Sequence, residues 1–251
     1  RMKKELDFLV KKYDPNLIYF VVDTFLAMSN REFDEMKELY SDYKIPFWMN
    51  TRAETINEYR AAGLEEMNML RMNIGIEHGN YDYRRKYLKR NVKDEVQIRA
   101  FEIAAEHKYA SCANSIIGMP DETRELIFDT INFVRKLPDS IDATGAFIFA
   151  PYHGTPLRTL AIEKGYIKED EICSLSNTSA SMLNMPTISK EEISGLAKVF
   201  SLYIKFPKER WPEIKIAEKS DKEGNFMMSK LGEEFDKTYR QFKATALDLH
   251  D

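Results

Sequence analysis

Asp23 and Thr24, Arg52, Glu77 and His78, Gly118-Met119-Pro120 and the run Tyr152-His153-Gly154-Thr155 each close a short apolar stretch of this 251-residue sequence. Carboxylates accept hydrogen bonds from amino groups and hydroxyls, and a guanidinium grips a carboxylate with a two-pronged fork. Gathered at one mouth, these residues suit a polar ligand that carries an amino group, a carboxylate and ribose hydroxyls. Each also has a plainer reading. Asp23 can cap a helix or form a turn, and Arg52 can pair with Glu54 or Glu77. Gly118 to Pro120 can be an ordinary strand-to-helix turn capped by Asp121 or Thr123, and His78 and His153 fit solvated loops. Recurrence at successive strand ends raises the set above its members, because ligands of parallel α/β folds bind beyond the carboxyl ends of the strands.

The elements that must position these residues follow one grammar: amphipathic helix, short apolar strand, polar or glycine-bearing turn. Helical spacing covers Glu5 to Lys12, and Asp14-Pro15-Asn16 breaks it. Leu17 to Val22 is a continuous apolar run, which predicts a strand buried on both faces. Ser29-Asn30 opens a helix bearing Phe33, Met36, Leu39 and Tyr40. Phe47 to Asn50 is the next strand, and a helix from Ala53 to Ala62 stops at Gly63, read as its C-terminal cap. A strand lies within Met67 to Ile76. Tyr81 to Arg90 reads as a charged loop, Lys93 to His107 as a helix and Tyr109 to Ile117 as a strand. A helix then starts at Asp121-Glu122-Thr123 and reaches Leu137, and Ala143 to Phe149 is the last clear strand. Strands alternating with helices predict parallel βα units. A doubly wound sheet and a closed or partial barrel both fit, and a chain that opens on a helix looks one strand short at the front.

After Pro156 the pattern changes. Leu157 to Lys164 reads as a short helix capped by Gly165, and Cys173 to Thr187 is polar and methionine-bearing. Lys190 to Ile204 is a helix, ended by Phe206-Pro207 and Trp211-Pro212, and a charged helical tail follows. The expected division is a barrel core over residues 1–165 and a mostly helical extension over 166–251. Tyr203 and Trp211 could close over the mouth, but packing is the favoured role for aromatics near helix ends.

Acidic and basic residues are nearly balanced, 41 against 37. That leaves no field able to hold nucleic acid by bulk attraction, so no nucleic-acid partner is expected. No apolar run is long enough to span a bilayer. Cys112 and Cys173 lie far apart, outside any paired metal spacing, and read as plain buried or half-buried thiols of a reducing, cytoplasmic compartment.

Four segments then carry a resemblance: Ile18-Tyr19-Phe20-Val21-Val22-Asp23-Thr24-Phe25, Asn73-Ile74-Gly75-Ile76-Glu77-His78-Gly79, Ser115 to Thr123 (SIIGMPDET), and Phe149-Ala150-Pro151-Tyr152-His153-Gly154-Thr155-Pro156. In this order they resemble successive signatures of radical S-adenosylmethionine (radical SAM) enzymes. Leu183-Asn184-Met185-Pro186 and Tyr203 to Pro212 resemble segments that follow the barrel in the subgroup with an N-terminal cobalamin-binding domain. The likeness runs from Leu17 to Pro212.

The resemblance implies a partial (β/α)6 TIM-like barrel, its first strand missing here, with a mainly helical C-terminal extension and SAM across its mouth. Asp23 and Thr24 match the position that helps to bind the SAM amino group, and Glu77 matches a ribose or methionine-moiety contact. Ile117 and Gly118 match the strand end near adenine, Pro151 and Tyr152 lie by the same ring, and Arg52 is a carboxylate partner for SAM or substrate. It also implies a [4Fe–4S] cluster, cobalamin on an upstream domain, and an electron donor such as flavodoxin or ferredoxin. The expected reaction is cleavage of SAM to a 5′-deoxyadenosyl radical and methylation of an unactivated carbon in a small or lipid-like substrate. The sequence departs from the family at its hallmark, three cysteines spaced CxxxCxxC, which occur nowhere in it. The expectation is that cysteine loop and first strand both precede Arg1, leaving this fragment alone inactive. A methylthiotransferase-like enzyme and a cluster-less barrel serving as a binding module are the alternatives.

Overall fold

The computed structural model describes residues 1–142, 145–173 and 180–239. Five helix-strand units come first. Helix α1 (Met2–Tyr13) leads to strand β1 (Ile18–Phe20), α2 (Asn30–Tyr40) to β2 (Phe47–Thr51), and α3 (Glu58–Glu66) to β3 (Met69–Glu77). Helices α4 (Tyr81–Tyr87) and α5 (Asp94–Ala105) precede β4 (Ala110–Ile117), and α6 (Arg124–Val134) precedes β5 (Ala146–Ile148). Then come α7 (Pro156–Glu163), α8 (Lys190–Lys205), α9 (Trp211–Ala217) and α10 (Lys222–Thr238). The reading of a strand from Ala143 begins on residues outside those described, as do parts of the polar stretch after Cys173 and of the charged tail.

All four strand pairings are parallel, and the order is β1-β2-β3-β4-β5. A doubly wound sheet reverses its strand order at a switch point. This sheet never reverses, so it winds in one direction as a partial barrel. The helix-covered face carries Phe47, Met49, Met72, Ile74, Ile76 and Ile117, each at most 1% exposed. The opposite, concave face carries the alternate residues, among them Trp48, Asn50, Arg71, Asn73, Gly75 and Asn114, all partly exposed. Strands covered on both faces would read as continuous apolar runs; the polar alternation marks an open interior.

The helix starts follow the sequence. Ser29 and Glu32 form a reciprocal capping box on α2, and Ser189 and Glu192 form another on α8. Thr123 caps α6, and Thr155 caps α7 with Pro156 in its first turn. Each cap satisfies amide groups that the helix leaves without partners.

Four expectations need correction. β1 is three residues long, and Val21 and Val22, read as buried strand, are 76% and 45% exposed because β1 is the edge strand with a neighbour on one side only. The loop at Tyr81 to Arg90 contains α4, started by Asn80, whose side chain accepts from the Tyr83 amide. Gly63 lies inside α3 rather than beyond it. A Cβ there would sit 2.6 Å from the Phe33 ring, so the glycine serves the packing of α3 on α2. His78, read as a solvated loop residue, is fully buried.

The C-terminal helices close over α6 and β5. Arg124 reaches Glu218 with both terminal nitrogens, at 2.5 and 3.0 Å, and the Tyr203 hydroxyl donates to the same carboxylate at 2.5 Å. Trp211 packs edge-on against Phe128 and Tyr203, so both aromatics are packing anchors. Arg135 donates to the carbonyls of Tyr203, Ile204 and Phe206, which α8 leaves unpaired at its end.

Candidate functional site

A cavity of about 330 Å³ opens at the carboxyl ends of the strands, lined by Asp23, Asn50, Arg52, Asn73, Glu77, Arg90 and neighbours. Three sequence-predicted residues, Asp23, Arg52 and Glu77, therefore meet at one cleft although 54 positions separate the first from the last. The turn that carries Asp23 is pinned from below: the Phe25 amide donates to the Asn50 carbonyl at 2.8 Å, and Arg60 donates to the carbonyls of Leu26, Met28 and Thr55. Thr24 lies in this turn, its carbonyl accepting from the Ala27 amide at 3.1 Å.

Glu77 ends β3 where the register with β4 shifts between Gly75 and Glu77, and its φ of 63° is in the left-handed region. That irregularity re-aims its side chain. The carboxylate folds back over Gly75, where Arg90 Nη2 meets Oε1 at 3.0 Å and Arg90 Nη1 donates to the Gly75 carbonyl at 3.1 Å. Burial pushes the Glu77 carboxyl above its ordinary value, more than Arg90 and Arg52 pull it down. Arg52 itself is half exposed and has Glu54 as a loose partner at 3.9 Å. Its guanidinium can turn toward a ligand at little cost.

A second, mostly apolar recess of about 460 Å³ adjoins the cleft and shares Ile116 and Phe147 with it. Tyr152 lines this recess, along with Tyr87, Phe149 and Leu157. Ile117 is fully buried on the helix side of β4, and its neighbour Ile116 is the one that faces both cavities. Gly118, with φ of 78°, supplies the turn after β4, and a Cβ there would stand 3.0 Å from Ile193 of α8. Pro151 is buried, its carbonyl accepting from Arg158 at 3.0 Å. A polar cleft beside an apolar recess suits a ligand with a charged end and an apolar end.

Behind this mouth lies a buried polar support. Glu122 Oε2 accepts from the amides of Gly118 and Met119, and its Oε1 stands 3.0 Å from His78 Nε2, with both side chains fully buried. His78 Nδ1 accepts from the Asn80 amide at 2.9 Å, which leaves Nε2 facing Glu122. The His78 ring stacks on Tyr83, which stacks on Tyr87, and the Tyr83 hydroxyl donates to the Pro120 carbonyl. Asp121, also left-handed, accepts from Tyr87, Tyr166 and Lys164. The turn Gly118 to Glu122 is thus tied to the segment after β3.

Sequence reasoning missed Asn50, Asn73, Asn114, Arg90 and Glu122. The asparagines had a signal, polar residues at every second position of parallel strands. Arg90 had none, since nothing in a charged loop distinguishes one arginine from its neighbours.

The radical SAM superfamily model matches residues 1–134 of the chain. The chain belongs to the radical SAM superfamily. Among curated relatives, an uncharacterized methyltransferase of Pyrococcus horikoshii is 30% identical over 163 residues, which are 64% of this chain and 35% of that protein. The chain therefore spans about a third of that relative's length. Among solved structures, the cobalamin-dependent S-adenosylmethionine radical enzyme OxsB superposes with a TM-score of 0.58 at 13% identity, covering 94% of this chain and 41% of that one. Coproporphyrinogen III oxidase (HemN) of Escherichia coli superposes with a TM-score of 0.53 at 14% identity, covering 80% and 47%. At such identities the structures establish the radical SAM fold of this member.

The residues present do not fit an iron–sulfur cluster. A cluster needs closely spaced thiolates, and this chain has two cysteines. Cys112 sits mid-strand in β4 with its thiol donating to Asn73 Oδ1 at 2.7 Å, and Cys173 lies beyond the sheet. Among the described residues no three His, Cys, Asp or Glu side chains gather in a way that could hold a metal ion, and no helix is long and apolar enough to cross a membrane.

Proposed function

We propose that this chain forms the SAM-binding face of a radical SAM methyltransferase. The observation that carries the reading is the convergence of Asp23, Arg52 and Glu77 on one polar cleft beside an apolar recess, in a chain of this superfamily. Asp23, in the turn it shares with Thr24, accepts from the SAM amino group, and Arg52 takes the SAM carboxylate as a charge-assisted pair. Glu77, held by Arg90, accepts from the ribose hydroxyls. Adenine lies along the recess by Ile116 and Tyr152, on a floor shaped by Gly118, Ile117 and Pro151. Excluding water there strengthens each polar contact.

In this reading a [4Fe–4S] cluster, which the residues of this chain do not hold, would supply the one-electron reductive cleavage of SAM to methionine and a 5′-deoxyadenosyl radical, with the electron from a small donor of the flavodoxin or ferredoxin kind. Cobalamin supplies methyl-transfer chemistry to an unactivated carbon. No residue of this chain is assigned to the cluster. Support for methyl transfer comes from the name of the Pyrococcus relative. The test is anaerobic incubation of the full-length protein, reconstituted with iron and sulfide, with SAM and dithionite. Accumulation of 5′-deoxyadenosine is expected; a reconstituted protein that leaves SAM intact overturns the reading.

A further inference from the structure

One row of polar side chains crosses the concave face below the mouth. Asn50 pairs in register with Asn73, Asn73 with Cys112, and Cys112 with Asp142. Arg71, one pleat lower on β3, holds Asp142 at 2.9 Å and lies over the Trp48 ring. Nothing in the cofactor site described above uses this row, although Asn50 and Asn73 line the cleft.

The row has a fixed hydrogen-bond polarity. Arginine can only donate. Arg71 Nε donates to Asn73 Oδ1 at 3.4 Å, and the Cys112 thiol donates to the same oxygen at 2.7 Å. Burial pushes the Cys112 thiol up to about 11, so it keeps the proton that it donates. With its oxygen so occupied, Asn73 must turn its amide nitrogen outward, and Nδ2 donates to Asn50 Oδ1 at 2.9 Å. The Tyr19 hydroxyl donates to that oxygen too, at 3.1 Å. Asn50 then has only its Nδ2 hydrogens left, and among the described residues no hydrogen bond takes them, while Arg71 also pairs with the Cys112 sulfur. Of the acids at the cleft and the row, Asp142 is held by Arg71 and Glu77 by Arg90, and Asp23 is the acceptor assigned above to the SAM amino group. The capacity left on this floor is therefore donor capacity.

We infer that the Arg71–Asn73–Asn50 row is a substrate subsite that takes a carboxylate, with Asn50 Nδ2 as the contacting donor. A group that only accepts matches what the floor offers, whereas an ammonium would meet donors. The inference deepens the proposed function, because it places a carboxylate-bearing substrate on the floor of the SAM cleft. It excludes a purely hydrocarbon reacting end at this depth.

The test reads the Asn50 side-chain amide and the Trp48 indole signals in 1H–15N spectra of the chain during titration with acetate, against potassium chloride at matched ionic strength. Asn50→Asp identifies the amide signal by its loss. Saturable acetate shifts at both groups are expected, persisting at saturating SAM, with the Trp48 response weakened about tenfold or more in Asn50→Asp, where donors become acceptors. Three results each overturn the subsite: shifts no larger than those with chloride, an acetate response abolished by SAM, or an Asn50→Asp response equal to wild type. SAM is titrated alone through the Gly75 and Glu77 backbone amides. Failure there overturns SAM binding and leaves the acetate result to be read by itself.

Discussion

Gly75 and Glu77 occupy one another's space. A Cβ on Gly75 would lie 2.5 Å from Glu77 Oε1, so the folded-back carboxylate depends on the residue two positions earlier having no side chain. The glycine makes room, the left-handed backbone at Glu77 aims the carboxylate, and Arg90 holds it. Three residues on two segments thereby fix one acceptor at the mouth.

Gly75→Ala should move the Glu77 carboxylate with little effect on the rest of the sheet. SAM affinity is expected to fall about tenfold or more, the loss of roughly one charge-assisted contact. In isothermal titration calorimetry Glu77→Gln should lose a similar amount, and the double variant should lose little more, because both changes remove the same contact.

Ligand binding should also fade in mild acid. Burial raises the Glu77 carboxyl, so it takes up its proton at a higher pH than an ordinary glutamate. Below that point the acceptor is neutral and its hold on a hydroxyl weakens. SAM affinity measured across the acid range should decline from above the usual carboxylate range, and Glu77→Gln should flatten the profile.

Glu122 is predicted to be the costliest single truncation near the site. Glu122→Ala strands two buried amides and leaves His78 without its carboxylate. The expected loss is about 3 kcal/mol, or roughly 6–12 °C in Tm for a domain of this size. Differential scanning calorimetry reads it, and Glu122→Gln, which keeps an acceptor, should recover part of the loss.

Cys112 gives a prediction at the alkaline end. Its pKa is raised in the folded chain to about 11, so folding favours the neutral thiol. The unfolded chain ionises first, at about 8.5. Stability contributed by this group is full below that pH and is lost as pH rises toward 11. Urea unfolding of wild type and Cys112→Ala should therefore converge over that interval, and iodoacetamide should label the native thiol slowly until its upper end.

Much of this was legible in the residues. Ser29 and Thr123 announce helix starts because a short hydroxyl side chain satisfies a free amide, and Thr155 and Ser189, which cap their helices in the same way, were not read as such. The strand ends placed Asp23, Arg52 and Glu77 together because parallel units bring their carboxyl ends to one edge. Facing was harder to read. Ser115-Ile116-Ile117 offers two isoleucines in a row, and only the pleat decides that Ile116 faces the cavities while Ile117 enters the core. Gly63 looked like a helix stop because the Phe33 ring that requires it lies thirty residues earlier. His78 and Glu122 meet across 44 positions, a pairing that no local spacing encodes.

The most direct test of the account is calorimetric titration of SAM into this chain and into its Arg52→Ala and Glu77→Gln variants. The account predicts saturable one-to-one binding, weaker for adenosine or methionine alone, and about tenfold or greater loss in each variant with the fold intact by circular dichroism. Absent binding, or binding that both variants leave unchanged, would contradict the assignment of this cleft to SAM.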